Sequence, residues 1–449
     1  MNAYRASLLW FAPRSEGVAR ALYEQDGLLV VGADAQGRQV VQAIGAYGTV
    51  SKQYPQVPVQ HFPGRIIAPG FIDLHIHYPQ IDVIGSPASG LLPWLENYTF
   101  PEENRFSAQD HSAQAATFFV AELLRNGVTT ALTFATSHPE SVNALFTEAQ
   151  ARHMRLITGL VLMDRHAPDY LVNQGQGGVS GTEQSLRDTE SLIQRWHGVD
   201  RLGYAITPRF APTSTDAQLR GAGELAKQYG DVWIQSHVAE NKDEITWARE
   251  LFPASRSYLA TYNDFGLMRE RAIYAHCIHF DDDDRALMRD TGAAAAISPT
   301  SNLFLGSGFF DYEGADRVGY QYGLASDVGG GTSFSPFHTM LAAYYVGREG
   351  QTKPGLSLSP QHLWWQHTAG AAGALGLDGA NGGPSVGNLL PGCEADFVVL
   401  NPQATPLLAR KTALASNLDE LLFSLIVLGD DRLVEKTVIS QELSDGSAR

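Results

Sequence analysis

The sequence predicts an α/β chain: a (β/α)8 TIM-type barrel with a small β-sandwich domain formed from the N- and C-terminal segments. Three observations predict it. Eight short apolar runs recur across about 260 residues. Most of the gaps between them hold a helix-like stretch. Short β-like runs stand at both ends of the chain, outside that repeat. Near-continuous apolar strands alternating with helices indicate a parallel sheet buried on both faces. Eight such units suit a closed barrel.

Taken in order, the opening carries SLLWFAP, GLLVVGA and RQVVQA, broken by turns. The barrel runs follow at 71–76, 128–134, 156–163, 202–207, 231–236, 272–276, 293–298 and 322–326. A helix is predicted from Ser107 to Asn126, stopped by Gly127, and another from Thr182 to His197, stopped by Gly198. Gly175 to Gly181 reads as a surface loop. The closing segment holds ADFVVLN, LFSLIVLG and TVISQ, read as further β runs, with Gly387 to Leu400 a turn-rich entry into a strand. β segments from opposite ends of a chain can pair in one sheet. The expected boundaries are 1–68 with 388–449 for the composite domain and 69–387 for the barrel. Glu442 to Arg449 reads as a loose end.

Composition narrows the function classes. Of 449 residues, 44% are hydrophobic and 18% charged, which supports a large core and excludes general disorder. Lys+Arg is 32 and Asp+Glu is 48, so the net charge is 32 − 48 = −16. Such a surface repels phosphate backbones and anionic lipid heads, so neither nucleic acid nor membrane is the expected partner. Cys277 and Cys393 are too few for a disulfide framework or a Cys-rich zinc site. The start lacks a basic stretch followed by a long apolar run. No run approaches the roughly 18 apolar residues that span a bilayer. Cytoplasm is the expected compartment.

Polar residues at the C-terminal ends of barrel strands point into the active-site mouth. Strand 1 ends in His75-Ile76-His77, and residues i and i+2 share a face, so both imidazoles can point inward. Strand 5 ends at His237, strand 6 at His276 and strand 8 at Asp327. An isolated HxH is often only a half-buried polar pair. Four or five metal-competent residues at four strand ends are not readily accidental. Imidazoles with one carboxylate suit zinc, with iron as the second choice. No lysine ends strand 3 or 4 to support a second, bridged ion, so one metal per chain is expected. His276 either ligates the metal or hydrogen-bonds the metal-bound water. His279 lies past its strand end and is a weaker competitor. Glu240, three residues after His237, is read as a proton shuttle rather than an exposed helix-start carboxylate. Arg209, just after strand 4, is read as a mouth residue rather than a surface cation. Phe210 reads equally well as a stacking ring or as core. Trp94 and Phe100 read as packing more readily than as a lid, and Asp164 and His138 as support at most.

These residues carry a resemblance. Pro69-Gly70-Phe71-Ile72-Asp73-Leu74-His75-Ile76-His77 resembles the first-strand motif of the amidohydrolase superfamily. The continuation Tyr78-Pro79-Gln80, with Leu91-Leu92-Pro93-Trp94-Leu95 and Tyr98-Thr99-Phe100-Pro101, is similar to the guanine-deaminating family within it. So are Pro208-Arg209-Phe210-Ala211-Pro212-Thr213, His237-Val238-Ala239-Glu240-Asn241 and Ser326-Asp327-Val328-Gly329-Gly330-Gly331. The HxH marks only the superfamily; the Pro-Arg-Phe-Ala-Pro-Thr and His-x-x-Glu-Asn runs are more restrictive. The cytidine-type zinc deaminases need HxE and CxxC, and this chain has no CxxC.

The resemblance implies zinc held by His75, His77, His237 and Asp327, with His276 as ligand or close partner. It implies Gln80, Arg209 and Phe210 around a purine base, and Glu240 bridging ring and water. Asp327 and Glu240, with His276 beside them, would carry the catalysis. It further implies a homodimer and a place in purine breakdown. The alternatives are a deaminase of 8-oxoguanine, a pterin or another aminopurine, or a cyclic amidohydrolase. Ser298 stands where relatives often carry Cys, and 309–320 and 336–340 fit the family less well, which bears on pocket shape and dimer contact.

Overall fold

The computed structural model describes residues 1–13, 20–350, 358–380 and 382–439. Among these, four strands open the chain: β1 (Asn2–Phe11), β2 (Ala21–Ala33), β3 (Gln39–Ala46) and β4 (Val59–Pro69). The barrel region holds β5 (Phe71–His77), β6 (Val128–Phe134), β7 (Arg155–Gly159), β8 (Val161–Leu162), β9 (Leu202–Pro208), β10 (Trp233–Val238), β11 (Ala272–His276), β12 (Ala294–Ile297) and β13 (Gln321–Leu324). Two more close the chain, β14 (Phe397–Leu400) and β15 (Val434–Val438).

All eight predicted barrel runs are strands. β5, β6, β7, β9, β10, β11, β12 and β13 lie side by side, and β8 pairs with β9. Their pairings are parallel. The ring closes at backbone level: Asp327 N–H donates to His75 O at 2.8 Å and His77 N–H to Val328 O at 3.3 Å. Ile72, Leu74, Leu132, Ile157, Ala205, Trp233 and Ile273 fill the barrel interior. Helices cover the outside. Gln109–Arg125 buries Ala116, Phe119, Val120 and Leu123, a single stripe at 3.6 spacing. Gly181–Trp196 is capped by Ser180, whose hydroxyl accepts from Glu183 N–H.

The chain ends meet in a second sheet of order β15-β14-β4-β1-β2-β3. β14 runs antiparallel to β4, with Phe397 opposite Pro69. β4 then leads through Gly70 directly into β5, so this sheet and the first barrel strand are one continuous path. Tyr4, Leu8, Leu29, Ile67, Phe397 and Val399 form its core. One predicted β run is corrected: LFSLIVLG lies in a helix, Leu418–Leu428. Asn417 caps it, Asp419 and Glu420 fill its first turn, and Leu422, Leu425 and Ile426 are buried. The leucine spacing is helical, and β-like composition masked it. The loose end predicted from Glu442 lies outside the described residues. No helix among the described residues is long and apolar enough to cross a membrane.

A buried ion cluster fastens the sheet to the base of the barrel. Arg155 and Arg201 meet Glu394 at 2.6 and 2.8 Å, and Arg201 also pairs with Asp396. Removing one partner strands the opposite charges in a dry interior. Arg201→Met is therefore expected to destabilise the fold by about 3–5 kcal/mol. Equilibrium denaturation measures this; a loss below about 1 kcal/mol would show that water reaches the cluster.

Candidate active site

The centre is assembled at the C-terminal ends of β5, β10 and β11 and in the segment after β13. Its first feature is a bulge. Between Asp73 and Ile76 the β5–β6 ladder slips, Asp73 facing Ala131 and Ile76 facing Thr133. The extra residue re-aims the strand. The Asp73 carboxylate accepts the N–H of His75 at 3.2 Å and of Ser326 at 3.0 Å. It thereby ties the bulge to the Asp327 segment. Burial raises this carboxyl to about 7.

The side chains of His75, His77, His237 and Asp327 converge on one centre. His75 Nε2 and His77 Nε2 are 3.1 Å apart, and His237 Nε2 is 3.2 Å from His77 Nε2. Asp327 Oδ1 lies 3.1 Å from His75 Nε2 and 3.3 Å from His77 Nε2. Donors about 2.0–2.1 Å from one tetrahedral cation would lie about 3.3–3.4 Å apart, so the set fits a single small divalent ion. His237 Nδ1–H donates to Arg209 O at 2.6 Å, which turns the lone pair of Nε2 toward the centre. His276 Nδ1–H donates to Asn302 Oδ1 at 2.9 Å and does the same. His276 Nε2 stands 3.9 Å from Asp327 Oδ2 and 3.4 Å from Glu240 Oε2. It thus faces both the donor cluster and the acid group.

Electrostatics favour metal-ready donors. Burial holds His77 down at about 4, and burial with the neighbouring imidazoles holds His237 well below its usual value. Both are neutral near pH 7, as ligation requires. Burial pushes Asp327 up, but His75 and His77 outweigh it and leave the carboxyl well below its usual range. Glu240 moves the other way, to about 8, through burial and then the charge of Asp327, opposed by the Ser307 hydroxyl. Two neighbouring carboxyls are thus driven apart in pKa. Asp327, His276 and Ala239 all hold positive φ, of 52°, 74° and 50°. Such strain concentrates at functional positions.

The donors open on a cavity. Leu91, Trp94, Leu95 and Leu305 supply apolar walls, and Gln80, Arg209, Phe210, Glu240 and Glu244 the remaining lining. The structure brings all of the predicted site residues to this cavity or its donor cluster. The weaker candidates stand elsewhere. His279 is occupied with Ser307 O at 3.1 Å. Asp164 accepts from the hydroxyls of Thr182 at 2.6 Å and Thr215 at 2.7 Å, bracing the loops behind the wall. His138 precedes the helix Pro139–Ala151, and Ser298 is buried without joining the donors. Residues 309–320 and 336–340 do not line the cavity.

Three acidic residues were not legible as site residues. Glu103 is fully buried, accepting from Gln80 Nε2–H at 3.0 Å and Arg209 Nη1–H at 2.5 Å. Nothing in the sequence distinguishes it from Glu102. Glu244 accepts from Glu240 N–H and Asn241 N–H, both at 3.2 Å, and from Tyr258 O–H at 2.6 Å. Its capping-box spacing after Asn241 was a signal for a helix start, not for a pocket wall. Asp73 is the third. It stands two residues before His75, where the bulge could not be foreseen.

A metal-ready ring of imidazoles on a barrel of this topology defines a class of metal-dependent hydrolase. Residues 66–443 match the amidohydrolase family, and the chain belongs to it. It is similar to guanine deaminase of Escherichia coli strain K12, 41% identical over 430 residues, covering 95% of this chain and 93% of that one. The solved E. coli guanine deaminase superposes with a TM-score of 0.90 at 39% identity, covering 98% of each chain. Guanine deaminase from C. acetobutylicum, with bound guanine in its active site, superposes with a TM-score of 0.86 at 28% identity over 98% of each chain.

Proposed function

We propose that this chain is a guanine deaminase, which hydrolyses the C2 amino group of guanine to give xanthine and ammonia. The observation that carries the reading is the placing of the donor cluster beside the buried Glu240 in one cavity with Gln80 and Arg209. The likeness to guanine deaminases over nearly the whole chain supports it. His75, His77, His237 and Asp327 would hold one divalent ion, with zinc the choice that suits the donors. Such an ion supplies Lewis acidity, which lowers the pKa of bound water toward neutrality.

The chain's own residues do the rest. Asp327 takes the proton that water loses as its oxygen bonds to C2. Glu240 gives a proton to the neighbouring ring nitrogen, so the ring accepts the electron pair. His276, 3.4 Å from Glu240 Oε2, keeps that carboxyl and the water in line. Asp327 passes its proton to the amino group, the C2–N bond breaks and ammonia leaves, while the C2 hydroxyl returns a proton to Glu240 as the C2=O bond of xanthine forms. Arg209 donates to O6, where negative charge would otherwise build. Phe210 and Trp94 close the faces of the ring and exclude bulk water. A homodimer and a cytoplasmic, purine-catabolic setting rest on the resemblance and the composition.

The test is ammonia release from guanine, before and after chelation and after zinc is restored. The expected result is turnover, its loss and its return; no ammonia from guanine with zinc bound would overturn the reading. Arg209→Ala is expected to raise KM roughly 10- to 100-fold, the worth of a charge-assisted hydrogen bond, while metal stays bound. Release of metal by that variant would place Arg209 in the ligand framework instead.

A further inference from the structure

Glu103 stands between the two polar residues that face the base. Its oxygens are both engaged, Oε1 by Gln80 and Oε2 by Arg209. A carboxylate only accepts, so the Gln80 amide must turn its NH2 toward Glu103. Gln80 Oε1 is then the atom left to the cavity. It accepts no hydrogen bond among the described residues, and the close approach of Gly329 leaves it room: a Cβ there would lie 2.1 Å from Oε1. Arg209 keeps its remaining donors. The wall therefore offers a donor beside an acceptor, the complement of a ring carbonyl next to a ring N–H.

We infer that Glu103 is the positioning residue that makes the pocket selective for a lactam edge, by fixing which end of the Gln80 amide meets the substrate. This rests on the guanine reading and refines it. Guanine presents O6 and N1–H, matching donor and acceptor. A purine whose N1 carries a lone pair sets acceptor against acceptor and is rejected. An uncharged isostere reverses the arrangement. In Glu103→Gln the new amide must turn its oxygen to Arg209, which can only donate, and its NH2 to Gln80. Gln80 then flips and shows its own NH2 to the cavity.

The test compares guanine with 2-aminopurine, which keeps the C2 amino group but has a lone pair at N1 and no carbonyl. In Glu103→Gln, kcat/KM for guanine is expected to fall roughly 100-fold, while that for 2-aminopurine holds or rises. The ratio of the two then collapses, with metal content unchanged. Equal falls for both bases, or an unchanged ratio, would overturn the inference in favour of plain structural support. In a Gln80→Leu background the same change should leave the ratio where it was; a persisting shift would show that Glu103 does not act through Gln80. Should Glu103→Gln not fold, Gln80→Met removes the presented acceptor together with the donor to Glu103, whose other oxygen keeps Arg209. It must cost guanine and spare 2-aminopurine, and equal losses again overturn the inference. If wild type turns over neither base, the functional reading falls separately. Calorimetric binding of both bases to wild type and variant then judges Glu103: a preference for guanine lost in the variant upholds it, and no difference ends it.

Discussion

Glu240→Gln is expected to fold, to keep its metal and to release ammonia from guanine roughly 1,000-fold more slowly. The size of the effect follows from what an amide can and cannot do at this position. Glu240 is buried, and its Oε1 accepts the Ser307 hydroxyl at 3.0 Å. An amide oxygen accepts that bond equally well, so the side chain should stay in place. Glu244 holds the Glu240 backbone from below and is untouched by the change. What is lost is a transferable proton. Burial and the Asp327 charge raise the Glu240 carboxyl to about 8, so near neutral pH it carries the proton that the ring nitrogen needs. Metal content and kcat should be read on the same sample. Turnover within threefold of wild type would remove the shuttle role, and loss of metal would mark Glu240 as part of the donor set.

Much of this architecture could be read from the chain. The eight apolar runs were legible because strands buried on both faces need uniform hydrophobicity, and that signal survives without any partner in view. The donor set was legible for a similar reason: a strand period of two fixes His75 and His77 to one face whatever surrounds them. The helix at Leu418–Leu428 was misread because its β-like composition outweighed the i, i+3, i+4 spacing of Leu422, Leu425 and Ile426.

Two of the residues that stayed hidden share one property: each acts through a contact far away in sequence. Glu103 reaches Arg209 across 106 positions, and the Asp73 carboxylate reaches Ser326 across 253. Neither pairing leaves a local mark. Glu244 did leave one, but the capping box accounted for it fully, so its second task beside Glu240 could not be inferred. Tertiary contact is what separates Glu102, paired with Arg105 near the surface, from the fully buried Glu103, and composition is blind to it.

Asp327→Asn is the more severe test of the centre itself. Asparagine keeps the size of the side chain, and it tolerates the left-handed backbone that Asp327 adopts at φ 52° better than alanine would. The backbone bond from Asp327 N–H to His75 O can persist, so the β5–β13 seam should stay closed. The change therefore isolates the carboxylate. Its Oδ1 sits within 3.3 Å of two imidazole nitrogens, and its charge is the largest influence after burial on Glu240. An amide binds a divalent ion weakly and takes no proton from water, so two functions vanish at once. Activity is expected to fall by roughly 10,000-fold or more, since ligand and base effects compound. Three imidazoles remain, so a fraction of the metal should still be recovered with the protein. The decisive comparison is turnover per bound metal. If that quantity recovers to a tenth of wild type once zinc is added in excess, Asp327 is only a ligand, and the proton must leave water by another group.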